Sequence, residues 1–226
     1  MHCRLLLCLA TTAALSPPSS TRKTPSLRRA TTSLSGGGRG LLQAYDSVLK
    51  RRPLPTKCAS SGVASAIGDA LAQSFAGGAY DPRRTLVFAV IGICYFGPLL
   101  HGWYKMLNRF ETGVVGSGRL TRPQAIALML LLNQSIGAMA ANGGFFYAYA
   151  GFDRWLPGGA NAPVLATASA ALGEQFWRVM KANWVVWPLP SLCNLALVPL
   201  EYRVLFMNSF AVVWKCVLSL LTRSAA

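Results

Sequence analysis

From residue 56 onward the chain alternates long apolar runs with single polar residues at helical spacing. Thr56–Phe75 is a run of small residues in which Gly62, Ala66, Asp69 and Gln73 recur at steps of four, three and four, so they share one helical face. Arg84–Leu107 follows, opened by Asp81 as an N-cap and Pro82 in the first turn. Gly97-Pro98 predicts a kink, and Gly97, His101, Tyr104 and Asn108 form a polar stripe. Gln124–Tyr149 is the clearest span: an aliphatic half, then Asn133, Gln134 and a small-residue half with Gly137 and Ala141. Ala162–Lys181 reads as an amphipathic helix carrying Glu174, Arg178 and Lys181, lying on the surface or lining the bundle. Ala182–Leu200 is one membrane-embedded helix broken by Pro188, Pro190 and Pro199, with Asn183 and Asn194 inside the apolar run. The last helix, Val204–Leu221, spaces Glu201, Asn208, Lys215 and Thr222 seven apart along one edge. The fold class expected is all-α, a multi-pass membrane helical bundle with about four transmembrane regions, the last broken by prolines.

Between these runs, residues 108–123 predict a flexible basic loop and residues 151–163 a loop rich in Gly, Asn and Pro. Trp103 and Tyr104, the Phe145–Tyr149 aromatics, and Trp184 and Trp187 read as rings of the membrane–water interface.

Composition sharpens this picture. Of 226 residues, 53% are hydrophobic and 13% charged, against about 25% charged in a soluble domain. A net charge of +15 would suggest nucleic acid in a soluble protein, but Lys and Arg flank apolar runs here and set topology instead; no nucleic-acid partner is expected. The basic residues 50–52 and 57 and those between 105 and 122 should therefore face one side of the membrane. Residues 1–44 hold Arg, Lys, Ser and Thr without an acid, a targeting composition, and residues 45–226 form the single bundle domain. The apolar start followed by a basic tail fits a bipartite plastid leader, and the tail alone fits a mitochondrial presequence; both readings stand. Gly36-Gly37-Gly38 is expected to mark a flexible join. Location in a mitochondrial inner or plastid membrane follows, with the peroxisome disfavoured by such a leader. The six cysteines show no metal spacing; Cys3 and Cys8 belong to the leader, and Cys58, Cys94, Cys193 and Cys216 read as small hydrophobes in apolar runs.

No catalytic motif, phosphate loop or dinucleotide fingerprint is present, so neither enzyme activity, metal nor cofactor is expected. The polar residues Asp69, Gln73, His101, Asn133, Asn142 and Asn194 carry two readings. They line a hydrated path for small solutes or ions, or they are helix–helix glue in a structural or partner-binding protein. Asp69 is the sharpest of them, since an intramembrane acid is costly; either it lines a pore or it bonds a neighbouring helix, with Arg84 and His101 as candidate partners. The expected partners are the lipid bilayer, small solutes or ions if a channel, and further copies of the chain.

Several short blocks together resemble one family. They are Y-D-S-V-L-K-R-R-P-L (45–54) with Thr56, Gly68-Asp69 with Gln73, Asp81 and Arg84, and G-P-L-L-H-G-W-Y (97–104), with Pro98, His101, Trp103 and Tyr104. N-W-x-x-W-P follows (Asn183, Trp184, Trp187, Pro188), then Asn194, Val198-Pro199, Arg203, Trp214 and Leu218-Ser219. In this order they are similar to the signature of the Mpv-seventeen / 22 kDa peroxisomal membrane protein family. The resemblance implies an integral protein of an organellar membrane, linked to small-molecule permeability and organelle homeostasis.

Overall fold

The computed structural model describes the backbone of residues 32–159 and 161–223, and side chains over 43–213. Every regular element in that range is a helix. We number them α1 (Thr32–Arg51), α2 (Pro53–Ala76), α3 (Pro82–Gly116), α4 (Arg122–Trp155), α5 (Val164–Val186), α6 (Pro188–Leu197) and α7 (Arg203–Arg223). Contacts divide the chain into two units, Met1–Leu42 and Gln43–Ala226. In the first, the described backbone from Thr32 is helical through Gly36–Gly38, where a flexible join was expected. The rest of the expected leader lies outside the described residues. The second unit is the helical bundle.

Cross-helix bonds fix the direction of each leg of that bundle. α2 starts at the end where Lys57 Nζ donates to the Leu200 carbonyl (3.4 Å), and finishes where the Thr85 hydroxyl donates to Asp69 (2.8 Å). α3 returns to the first end, bringing Glu111 to 3.5 Å from Arg122 at the start of α4. α5 packs antiparallel to α4, with Ser169 beside Tyr147 (3.4 Å) and Asn183 donating to Gln134 (3.1 Å). α6 continues the same way until Arg122 Nη2 reaches the Ala196 carbonyl at 3.2 Å. α7 then turns back alongside α2, Asn208 donating to the Ser61 hydroxyl at 2.8 Å. α5 and α6 are thus one bent leg, and α6 and α7 are a hairpin. Lys57, at the start of α2, and Arg122, at the start of α4, lie at the same end of the bundle.

Two described helices, α3 and α4, are long and apolar enough to cross a membrane, at 35 and 34 residues. Both outrun their expected bounds. The predicted loop over 108–123 is helix as far as Gly116, leaving only a short turn in which Gly118 takes φ +70°. Thr121 then opens α4 in a capping box with Gln124, whose Oε1 accepts from the Thr121 N–H at 2.9 Å. α4 likewise runs past Tyr149 to Trp155. Apolar runs end where lipid or core contact ends, whereas a backbone stays helical into water until a left-handed residue or a proline stops it.

The proline-rich stretch also differs from its expected form. Rather than one embedded helix, it is the last turn of α5, the whole of α6 and a turn holding Pro199. Pro188 occupies the first position of α6, where a missing N–H leaves no bond unmade. At Gly97-Pro98 the helix continues through the expected kink. A π turn over Gly92–Phe96 precedes it, closed by the Gly97 N–H on the Gly92 carbonyl. That widened turn makes room for the Pro98 ring and its absent donor.

The predicted small-residue face of α2 is its contact with α3. A Cβ on Gly92 would run into the Ser61 carbonyl oxygen, and one on Gly97 would come within 2.6 Å of Cys58 Cα. The two backbones touch because neither glycine holds them apart. At the other side of α3, Tyr104, Leu107, Met129, Leu195, Val204 and Met207 close a core between α3, α4, α6 and α7.

Candidate functional site

Polar side chains inside the bundle gather into three groups. The first ties α2 to α3. Asp69, 2% exposed, accepts at Oδ2 from Gln73 Nε2 and the Thr85 hydroxyl, both at 2.8 Å. Arg84 Nε lies 3.0 Å from Oδ1 as an ion pair without hydrogen-bond alignment. Gln73 also accepts the Asp81 N–H at 2.7 Å, and Asp81 caps the Arg84 N–H at 3.1 Å. Of the two partners predicted for Asp69, Arg84 is present and His101 is not; the buried His101 Nδ1 makes no hydrogen bond within the described residues. Beside this group, Arg83 pairs with Asp153 at 2.6 Å and donates to the Pro157 carbonyl at 2.9 Å, anchoring the chain after α4.

The second group lies half-way along α4, at its π turn over Asn133–Gly137. Asn133 accepts the Trp103 indole N–H (2.8 Å) and donates to Ser191 (3.1 Å). Gln134 donates to the same hydroxyl (3.3 Å), accepts from Asn183 (3.1 Å), and through its carbonyl accepts the Trp184 indole N–H (2.8 Å). Asn142 donates to the Asn183 side chain at 3.3 Å. The amides and indoles of this network come from α3, α4 and α5, and Ser191 joins it from α6. The break between α5 and α6 therefore sits against the π turn. Trp103 and Trp184, expected at the membrane interface, both bond to α4 half-way along its length. Trp103 is half-buried and Trp184 is exposed, and each indole N–H has an acceptor in α4, the Asn133 side chain for the first and the Gln134 backbone carbonyl for the second. Trp187 stacks edge-on to Phe210 at 5.3 Å.

The third group is at the basic end. Arg203, 5% exposed, donates to the Val198 (3.1 Å) and Leu195 (3.2 Å) carbonyls, capping the C-terminus of α6. Arg203 Nη2 is 3.9 Å from Glu111, which also faces Arg122. Asn194, fully buried, makes no side-chain hydrogen bond within the described residues. A recess of ≈ 490 Å³ opens here between α3, α4 and α6, lined by Asn108, Thr112, Arg122 and Arg203 among others. Near it but outside the helices' long apolar parts, the Tyr202 hydroxyl donates to Asp46. Lys50, 2.7 Å away, first, and then Tyr202, hold the Asp46 carboxyl below the usual carboxylate range.

Comparison with known proteins decides what this framework is. The model of the Mpv17 / PMP22 family matches residues 163–219, which hold α5, α6 and most of α7. Protein SYM1 of Eremothecium gossypii is 31% identical over 182 residues, covering 77% of this chain and 92% of that protein. The chain belongs to the Mpv17 / PMP22 family. Also similar are PXMP2/4 family protein 2 of Dictyostelium discoideum, 31% identical over 80% of this chain and 90% of that protein, and the mitochondrial inner membrane protein Mpv17 of Bos taurus, 30% identical over 79% and 96%. No solved structure matches.

Residues of the blocks that resemble the family meet in space. Asp69 and Arg84 share the first group; Trp103, Asn183 and Trp184 share the second; Arg203 centres the third, while the Trp214 side chain lies outside the described residues. Thr85, Gln134 and Ser191 complete these groups, although sequence reasoning does not single them out as site residues. The signal for them is local: each lies on a helix close to a polar residue that does stand out. Asp69 is bonded to Thr85 of α3 and Asn133 to Trp103 of α3 and Ser191 of α6, while Gln73 and Asn142 divide their bonds between their own helix and a neighbouring segment. Among the described residues no group of three His, Cys, Asp or Glu side chains comes together as a metal site.

Proposed function

We propose that this chain is a multi-pass protein of the mitochondrial inner membrane that passes small solutes or ions, with the water-filled path along the outer face of α5 rather than through the bundle. The location draws on membership of the Mpv17 / PMP22 family, the name of the Bos taurus relative, and the apolar length of α3 and α4. The three relatives named lend no support to a plastid. We count four membrane regions: α2, α3, α4, and the bent α5–α6 leg with α7.

One observation carries the path. α5 packs on α4 through Leu172 and Phe176 at Gly143, and through Met180 and Asn183 at Asn142. These contacts lie roughly 5–7 Å from the midpoint of α4 at 1.5 Å per residue. Glu174, Arg178 and Lys181 occupy the other side of α5, about 145–165° from the mean direction of the packed residues at 3.6 residues per turn, and all three are exposed. If α4 crosses the membrane, three charges point outward near its centre. Lipid there is costly for them, and water is the environment they require.

The second reading, a non-transporting structural protein, is favoured by the internal polar groups being mutually bonded. Purified protein in planar bilayers separates the two. Conductance with a modest anion preference, reduced by Arg178→Gln with Lys181→Gln, supports the path; a folded protein that stays silent supports the structural reading.

A further inference from the structure

We propose that the recess between α3, α4 and α6 seats the phosphodiester of a lipid head group, held between the guanidinium groups of Arg122 and Arg203. The site rests on α3 crossing the membrane, as in the proposed function, and not on the water-filled path along α5.

Charge and hydrogen bonding in the recess call for an anion. The charged residues lining it are Arg122, Arg203 and Glu111, two cations to one acid. Glu111 stands 3.5 Å from Arg122 Nε and 3.9 Å from Arg203 Nη2, whereas a charge-assisted bond between such groups spans about 2.7–2.9 Å. The carbonyls at the end of α6 take Arg203 Nε and Nη2 and Arg122 Nη2. Arg203 Nη1 is buried and left without a hydrogen bond within the described residues. Asn108, on the same wall, makes no side-chain hydrogen bond there either. A buried cation whose acid stands beyond bonding distance is costly. Phosphate oxygens match the planar fork of a guanidinium, and an anion seated between the two arginines supplies the acceptor that Glu111 is too far away to be.

Three features select a lipid head group over a bare ion. The lining side chains sum to +1, which one phosphodiester balances; free phosphate near pH 7 carries about −1.5 to −2. At ≈ 490 Å³ the recess falls within the range of small-molecule sites, about 300–1,000 Å³, and Val115, Leu197 and Val198 give it an apolar wall. Its depth is also right. Glu111 lies about 18 Å from the middle of α3 at 1.5 Å per residue. With that middle at the bilayer midplane, it is beyond the hydrocarbon half-thickness of about 15 Å and inside the head-group layer, which ends near 20–22 Å. Basic pockets between membrane helices at this depth bind lipid head groups.

The full chain in an uncharged detergent, titrated with phosphatidylglycerol and separately with sodium phosphate at fixed ionic strength, tests this. Native mass spectrometry counts bound lipid, and the melting temperature follows the stability it adds. One phosphatidylglycerol should bind saturably and raise the melting temperature. Arg122→Gln, at an exposed side chain, should melt like the parent without lipid and bind about tenfold more weakly. Arg119→Gln removes the same charge from the adjoining turn, outside the recess, and should bind like the parent. Glu111→Gln, which removes the competing acid, should bind more tightly than the parent and gain more melting temperature from the lipid. Equal losses in Arg119→Gln and Arg122→Gln overturn the site, since they show attraction to a basic surface alone. Saturation by sodium phosphate, with no further gain from phosphatidylglycerol, overturns the lipid head group in favour of a free anion. Conductance from a protein in which Arg122→Gln binds like the parent removes this site and keeps the path; one-to-one lipid binding by an electrically silent protein does the reverse.

Discussion

Replacing Asp69 by Asn separates a pore-lining acid from a structural one. The side chain keeps its shape and loses its charge and one acceptor. In the native protein Oδ2 receives Gln73 and Thr85 at 2.8 Å each, and Oδ1 faces Arg84 Nε at 3.0 Å. With the Asn oxygen turned to Gln73 and Thr85, its amide faces Arg84, donor against donor. A buried cation left in that position would cost about 3–5 kcal/mol. Arg84, however, is 46% exposed and swings into water, so its pairing is worth at most ~1 kcal/mol after solvent screening. The larger loss is in the two bonds to a charged acceptor, which become neutral ones; charged and neutral bonds differ by roughly 1 kcal/mol apiece. Asp69→Asn should therefore destabilise by about 2 kcal/mol, near a 30-fold change in the folding equilibrium. Detergent unfolding of Asp69→Asn, Arg84→Gln and the double variant measures this, with a coupling below ~1 kcal/mol expected between the two. Ion preference should be unchanged, since three partners seal the carboxylate. A stable Asp69→Asn protein with reduced cation preference would refute this reasoning and make the residue pore-lining.

Three further outcomes rest on the same geometry. Asn133→Leu strands the Trp103 indole and the Ser191 hydroxyl, and should cost about 1–2 kcal/mol in detergent unfolding, the upper range for bonds between membrane helices. Gly92→Ala drives a methyl into the Ser61 backbone and should cost ~1–3 kcal/mol by overpacking, whereas Gly102→Ala, with open space around it, should be neutral or stabilising in the same melt. The Asp46 carboxyl is held below its ordinary value, so its contribution is present above the unfolded-state value near 4 and fades as pH falls through the lower folded value. Hydrogen-exchange protection at residues 46–50, taken relative to the intrinsic rate at each pH, should fall in acid in the native protein and show no such dependence in Asp46→Asn.

Helix identity was legible from residue 56 onward because both length and face are written in single-residue spacing. The Gly62, Ala66, Asp69, Gln73 stripe meets α3, and Asp81 caps it, as their positions required. Helix ends were less legible. Residues 108–116 carry charge and glycine, which read as loop, yet nothing in them forbids α-helix until Gly118 turns left-handed. The partners of the tryptophans were hidden for a different reason. An indole is equally suited to the membrane interface and to a buried amide network, and sequence does not tell which acceptor is near. The direction of the α5 charges was also hidden: amphipathicity shows that one face differs from the other, and packing alone shows which of them faces α4.

The two unusual features at mid-bundle, a π turn in α4 and a proline break between α5 and α6, explain each other. A π turn shifts hydrogen bonding from the fourth to the fifth residue and leaves carbonyl oxygens turned outward. The Ala138 N–H reaches back to the Asn133 carbonyl, and the Gln134 carbonyl receives the Trp184 indole instead. On the facing leg Pro188 and Pro190 remove two backbone donors in one turn, and Ser191 and Asn183 bond across to Asn133 and Gln134. Each irregularity therefore supplies side-chain partners at the level where the other departs from a regular helix. In lipid neither would be tolerated alone, because an unsatisfied backbone group there costs several kcal/mol. The pairing also fixes α5 in rotation: Asn183 and Trp184 must face α4, and by helical geometry Glu174, Arg178 and Lys181 are then turned away from it. The outward charges are a consequence of the inward network, so a change that frees the network, such as Gln134→Leu, should let α5 rotate and alter access to residue 178 as well as stability.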